Sequence, residues 1–403
     1  MKSIALYYSK MPEPTTIEPM SCTPTSSASV KTNGDKLEDV RSEDRNSSEG
    51  ADVELHINLW KVEERVCKPR YRFYMDFGIM FPKTYRRLYL FLPFEIREKY
   101  PTDLAKVLMT NQQTLGAVFN ADVKLTSRAN DNYCTVTVDE KNEFSIYHLG
   151  NSNFKKIAYC EDHEKGVYLK INVVNDPDNA EIKDKIYVRF RVSIAENDPF
   201  VKTEHISNDL LQAAFSKTDL FDIRVNEIRV LNSKVKETMT REGFQLCKFS
   251  KVHLFFMADS RETVYNGSSL NQDTRMLEKD QWEGYMPYTD LHGASFVAYH
   301  WKRRRKRLVD KNEYDIPPIE TFSVYFSTIY PKIHFWRMVS YLIVVILLGW
   351  MGSMLTFHLS LLKFSYPLGF VKPTIIVGLL LLLSILIFRS RFGITWFKIY
   401  RKR

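Results

Sequence analysis

The sequence predicts an α+β, strand-rich cytoplasmic region followed by a C-terminal two-helix transmembrane hairpin. Aromatic and β-branched runs separated by turn residues recur from Val53 to Ile329, the pattern of half-buried strands. Helical periodicity is confined to a few short stretches. Two long apolar runs without a charge stand near the C-terminus. The 403 residues, 44% hydrophobic and 26% charged, leave room for two or three domains.

Residues 1–52 are rich in Ser, Thr, Pro, Asp and Glu. Such a segment buries too little apolar surface to offset the entropy of ordering, so disorder is expected, with ALYY (Ala5–Tyr8) the part able to dock. A strand-rich domain is expected over 53–176. Its strands are Arg70–Phe81, Arg87–Phe94, Tyr133–Val138, Phe144–His148 and Val167–Val174, and a helix over Thr102–Met109 starts at Asp103. The turn-rich NDPDN (Asn175–Asn179) then marks a break. A second α+β domain, 177–330, has expected strands Lys185–Ile194, Lys251–Met257, Ser295–His300 and Thr321–Ile329. Its expected helices are Ser207–Phe215 and Gln272–Trp282. A shift of 106 residues aligns Thr102–Ser127 with Asn208–Ser233 and matches Asp103 with Asp209, Asn120 with Asn226 and Leu125 with Leu231. That hints at two related β-α-β units.

Residues 331–403 form the expected hairpin and basic tail. Met338–Leu362 carries no charged residue, and at about 1.5 Å per residue it covers a hydrocarbon core of roughly 30 Å. Pro373–Phe388 is shorter and borrows Tyr366–Val371, with Lys372 reaching toward headgroups. The formal charge is +9, but no Asp or Glu follows Glu320, so the basicity gathers at one end. That excludes a uniformly basic protein that coats nucleic acid. The positive-inside rule places both termini in the cytoplasm, making this an integral inner (plasma) membrane protein. Five cysteines without regular spacing exclude a small disulfide-stapled scaffold.

No phosphate-binding loop, dinucleotide fingerprint, nucleophile elbow or H-E-x-x-H occurs, so no enzyme, cofactor or metal is implied. Cys160-Glu-Asp-His163 lacks a second ligand pair and reads as a solvated acidic turn. His56, His148, His205, His253, His292 and His300 form no local constellation. In KIYVRFRV, alternation puts Lys185, Tyr187, Arg189 and Arg191 on one strand face, and Arg70 and Arg72 share a face with Tyr74. Arginines beside a tyrosine suit a nucleotide or single-stranded oligonucleotide, while a plain solvent face is the simpler alternative. The block Lys302, Arg303, Arg304, Arg305, Lys306 and Arg307, on the same side as the tail, reads as a contact for inner-membrane lipid headgroups.

On the first apolar run Met338, Leu342, Val345, Gly349, Ser353, Thr356 and Ser360 fall on one helical stripe. It reads either as a packing seam or as a pore wall with a hydrophobic constriction. Two helices enclose no lumen, so a pore demands a cyclic homo-oligomer.

This layout, a cytoplasmic bulk without enzyme motifs ahead of a lone hairpin from Met338 to Phe388, resembles in architecture the two-transmembrane effectors of bacterial antiphage signalling systems. The resemblance implies an oligomeric pore or channel controlled by a nucleotide or oligonucleotide, made by a partner enzyme. The alternative is a membrane-anchored scaffold or adaptor whose hairpin is only a tether.

Overall fold

A computed structural model describes residues 2–9, 53–64, 70–85, 87–130, 132–139, 142–161, 164–173, 182–195, 200–204, 216–278, 282, 284–286, 295–305, 317–331, 335–361 and 378. In chain order the strands begin with β1 (Ala5–Ser9), β2 (Val53–Glu64), β3 (Arg70–Pro82), β4 (Arg87–Leu92), β5 (Thr102–Asp103) and β6 (Val123–Asn130). Next come β7 (Tyr133–Val138), β8 (Asn142–Tyr147), β9 (Phe154–Glu161), β10 (Glu164–Asn172), β11 (Lys185–Ser193), β12 (Val201–Glu204) and β13 (Ser216–Val225). The last are β14 (Gln245–Leu246), β15 (Phe249–Asp259), β16 (Thr263–Asn266), β17 (Gln272–Met276), β18 (Phe296–Arg304) and β19 (Phe322–Pro331). The helices are α1 (Ala105–Thr110), α2 (Gln112–Phe119), α3 (Ser233–Arg241) and α4 (Phe335–Leu361).

Among the described residues the strands form three sheets. The largest runs β17-β18-β15-β2-β3-β11-β8-β7-β6, with β5 added on β11. A second runs β14-β1-β4-β10-β9 and a third β12-β13-β19-β16. Alternation decides the layers. In β2, Leu55, Ile57 and Leu59 join a core shared with Leu88 and Leu90 of β4, Leu169 of β10 and Val324 and Phe326 of β19. The large sheet therefore packs one face on both smaller sheets. Its other face, with Trp60, Phe255 and Met257, packs on α1, α2 and the residues around Trp282 and Tyr285. The outer face of the five-stranded sheet holds Val235 and Met239 of α3 against Tyr7, Tyr89 and Tyr168. Fully buried rings such as Phe77, Phe190 and Phe221 stabilise this core by roughly 2–3 kcal/mol each.

Two compact units emerge, residues 1–204 with 219–329, and 205–218 with 330–403. The first draws β2, β3, β11, β15 and β18 into one sheet from both sides of the break expected at Asn175–Asn179, which itself lies outside the described residues. The repeat of β-α-β units is not seen among the described residues. Residues 112–119 are helical, whereas the positions 106 later, 218–225, are strand β13. Only the left-handed turn is common to both, Asn120 at φ 52° and Asn226 at φ 54°. The N-terminus is ordered at 2–9, because apolar alternation lets β1 pair with β4 and β14. The remainder of the expected disordered segment lies outside the described residues. Gln272–Met276 is strand β17 rather than helix, since its backbone groups pair with β18. The first helix begins later than expected: Asp103 belongs to β5, Leu104 is the N-cap of α1, and the Asp103 carboxylate accepts from Ala105 N at 3.1 Å.

The C-terminal expectations change most. Within α4 the side chains are described without a break only over 341–357. Among the described residues no helix is long and apolar enough to cross a membrane. The transmembrane hairpin, and with it the inner-membrane localisation with cytoplasmic termini, is therefore not retained. The second run, 373–388, lies outside the described residues apart from Gly378. On α4, Leu342 and Val345 are exposed, a Cβ added at Gly349 would meet nothing within 4 Å, and Thr356 Oγ1 donates back to Gly352 O at 2.9 Å. No neighbour among the described residues packs on the stripe there. Ser353 is exposed and Met338 half-buried, and the side chain of Ser360 lies outside the described residues.

Candidate functional site

Six adjacent strands of the large sheet place polar side chains on the face turned toward α1 and α2. The register sets Arg191 beside Asp76 and Arg189 beside Gly78 between β11 and β3. Asn58 lies beside Asp76 and His56 beside Gly78 between β2 and β3. The parallel β2–β15 pairing brings His253 to His56. On β18, Lys302 lies beside His253, His300 beside Phe255 and Arg304 beside Lys251. Asp273 of β17 faces His300. Both basic elements of the sequence, KIYVRFRV and the start of KRRRKR, thus converge on one face of one sheet.

The inner end of this polar track is closed. Arg191 grips Asp76 with Nε on Oδ1 at 2.6 Å and Nη2 on Oδ2 at 2.9 Å. Trp60 Nε1 and Tyr285 Oη also donate to Asp76 Oδ2, at 2.8 and 2.9 Å. Arg189 donates through Nε to Tyr285 Oη at 2.6 Å and through Nη1 to Tyr187 Oη at 2.8 Å. With the Asn58 amide turned to satisfy both its groups, its oxygen accepts from Arg189 Nη2 at 2.8 Å. Arg189 and Tyr187 are fully buried and Arg191 is 6% exposed. Alternation alone leaves the face of Lys185, Tyr187, Arg189 and Arg191 open to a ligand or to solvent. Its two guanidiniums are instead spent inside the fold, so Glu substitutions there would break the core rather than report on binding. Lys185 is half-buried, Arg72 is half-buried further along β3, and of Arg70 only the backbone placement is described.

The outer end opens. His253 Nδ1 and His300 Nε2 lie 3.0 Å apart, and the His300 ring stacks on Phe255 at 4.0 Å between centroids. The His56 ring lies 4.9 Å from that of His253, and its buried Nδ1 has no hydrogen-bond partner. Lys251 Nζ pairs with Glu54 at 2.9 Å and Lys302 Nζ with Asp273 at 2.9 Å. The exposed Arg304 side chain makes no hydrogen bond or ion pair with another described residue. Arg303, across the strand, donates to Thr321 O at 3.3 Å. Arg305 is half-buried, and Lys306 and Arg307 lie outside the described residues.

Among the described residues no group of three His, Cys, Asp or Glu is placed to hold a metal ion. No family claims the chain. Neither a scan of protein-family models nor a search of curated proteins finds a match.

Electrostatics separates the two ends. Arg189, Arg191, Lys251, Lys302 and Arg304 stand against Asp76, Glu54 and Asp273, a surplus of two positive charges when the imidazoles are neutral. Burial, then the nearby Lys251, Lys302 and Arg304, lowers His253 to about 4. Burial, His253 and Lys302 lower His300 to about 4. Burial, His253 and Arg189 hold His56 well below the usual range. Groups whose folded pKa lies below an unfolded value of about 6.5 withhold protons that the unfolded chain takes up. Stability should therefore fall as pH drops from about 6.5 toward about 4, by on the order of 2 kcal/mol after allowance for solvent screening. Urea midpoints at pH 7 and pH 5 measure this, and His253→Gln with His300→Gln should flatten the difference. An unchanged wild-type midpoint would contradict it.

The three histidines were invisible as a set because 197 residues separate positions 56 and 253. The parallel β2–β15 pairing joins these two, and the antiparallel β15–β18 pairing adds His300.

Proposed function

We propose that the chain is a binding module for a phosphate-bearing ligand of the nucleotide or oligonucleotide class, taken at the open end of the track. The observation that carries this reading is the surplus positive charge gathered around uncharged, stacked imidazoles, with the Arg304 side chain beside them unpaired among the described residues. A phosphate there gains charge-assisted hydrogen bonds from Lys302 and Arg304. It also reverses the local field, so His253 or His300 takes up a proton and becomes a further donor. Such a ligand would be supplied by a nucleotide-making enzyme. The pore and tether readings both need a spanning hairpin and form no part of this proposal.

Fluorescence anisotropy with a labelled single-stranded oligonucleotide, competed by free nucleotides, tests the reading on the full chain. Binding should tighten several-fold between pH 7.5 and pH 5.5 and weaken with salt. Lys302→Glu with Arg304→Glu should weaken it at least tenfold while leaving the urea midpoint near that of the parent. Absence of binding to any of these probes at low salt, or a charge-reversed variant that binds as well as the parent, would overturn the reading.

A further inference from the structure

A cleft of about 720 Å³ lies elsewhere in the first unit, between the end of β13, the turn after it, the β16–β17 turn and β19. Its chemistry is unlike that of the polar track. Arg224 forks onto Asp222, Nε to Oδ1 at 3.0 Å and Nη2 to Oδ2 at 2.6 Å. Arg229 does the same to Glu227, Nε to Oε1 and Nη2 to Oε2, both at 2.9 Å. Each pair sits within two residues of sequence, so short local geometry rather than distant packing sets it. In each guanidinium the second N–H of Nη2, next to the carboxylate, makes no hydrogen bond with a described residue, and each carboxylate keeps lone pairs to spare. An ion pair of this form shows a donor and an acceptor side by side.

The cleft also holds an aromatic platform. Tyr325 is 42% exposed although strand neighbours Val324 and Phe326 are buried, because β19 alternates. Its ring rests on the backbone of Gly267, where an added Cβ would come within 2.5 Å of Tyr325 Cδ1. Gly267 N donates to Tyr325 O at 3.0 Å and fixes the approach. Ser323 adds a hydroxyl to the cleft wall.

We infer that this cleft binds a neutral saccharide. Two hydroxyls on adjacent carbons match one arginine–carboxylate pair: one accepts from the second N–H of Nη2 and the other donates to the carboxylate. The cleft repeats that unit twice. The apolar C–H face of a pyranose ring covers Tyr325, which buries carbon against carbon while the hydroxyls turn to the charged pairs. Two guanidiniums against two carboxylates leave no net charge, so an anionic ligand gains little from the arginines that it does not lose to Asp222 and Glu227. This distinguishes the occupant from the phosphate ligand proposed above. The hydrogen bond from Arg229 holds the Glu227 carboxyl down at about 2, and the carboxylate partners push Arg224 and Arg229 up from their ordinary values. Both pairs therefore stay ionised from mildly acidic to mildly basic pH.

The test is a screen of the full chain on an array of neutral oligosaccharides, followed by titration calorimetry with the best binder at pH 5 and pH 8. Affinity should differ less than threefold between the two pH values. Tyr325→Ala and Arg224→Met should each weaken it at least tenfold, Tyr325→Phe should keep most of it, and Lys302→Glu with Arg304→Glu should leave it unchanged. No neutral glycan bound at millimolar concentration, binding only to sulfated or sialylated glycans, or full affinity in Tyr325→Ala would overturn the inference. The Lys302 and Arg304 substitutions separate its failure from failure of the phosphate site.

Discussion

Asp76→Ala is expected to destabilise the chain by roughly 4 kcal/mol, the range found when one member of a buried ion pair is removed. The carboxylate accepts from Arg191, Trp60 and Tyr285 at once and is fully buried. Its loss leaves two guanidiniums in the interior without a counter-charge and strands the indole and phenol donors. Asp76→Asn keeps the shape but not the charge and should lose nearly as much. Exchanging Asp76 and Arg191 together for Leu and Met should cost less than Asp76→Ala alone, because the charge and its partner leave together. Urea unfolding of the four chains measures all of this. A loss below 1 kcal/mol for Asp76→Ala would mean the network is not held as described.

Gly78→Ala carries the second large effect. Gly78 lies opposite Arg189 on β11, and the absence of a side chain lets Tyr187 and Arg189 lie across the strand. A Cβ there would overlap Tyr187 Oη and stand 2.9 Å from Arg189 Nη1. Neither side chain has room to withdraw, since both are fully buried. Overpacking of this kind costs about 3 kcal/mol. Adding Tyr187→Phe removes the overlapping oxygen and should recover about 1 kcal/mol, at the expense of one acceptor for Arg189. A thermal scan with paired urea titrations decides it. A single Gly78→Ala chain within 0.5 kcal/mol of the parent would refute the close approach.

These two positions show where a lone sequence can be read and where it cannot. Alternation correctly separates Tyr187, Arg189 and Arg191 from Val188, Phe190 and Val192, because period two is a property of the strand itself. It says nothing of what covers the face. Tyr285 lies 96 residues beyond Arg189 and Asp76 lies 115 residues before Arg191, so solvent and interior look alike at the level of pattern. Strand boundaries such as Arg70–Pro82 and Lys185–Ser193 follow closely from β-branched and aromatic runs. Gln272–Met276 does not, because its exposed, polar side chains leave strand formation to backbone pairing with β18. The saccharide cleft has the same origin. Asp222-x-Arg224 and Glu227-x-Arg229 are readable locally, yet only the return of β19 sets Tyr325 beside them.

The parallel partnership of β2 with β15 has a consequence for how the chain is made. Glu54 and Lys251 meet across 197 positions, and the entropy cost of closing so large a loop comes before the contacts that offset it. As the polypeptide leaves the ribosome, the hairpin of β2 and β3 emerges long before the strand that completes it. Its apolar row Leu55, Ile57 and Leu59 and the open hydrogen-bonding edge of β2 must wait through some two hundred further residues of synthesis. Vectorial assembly is thus impossible for the central sheet, and the nascent chain is most exposed to self-association in that interval.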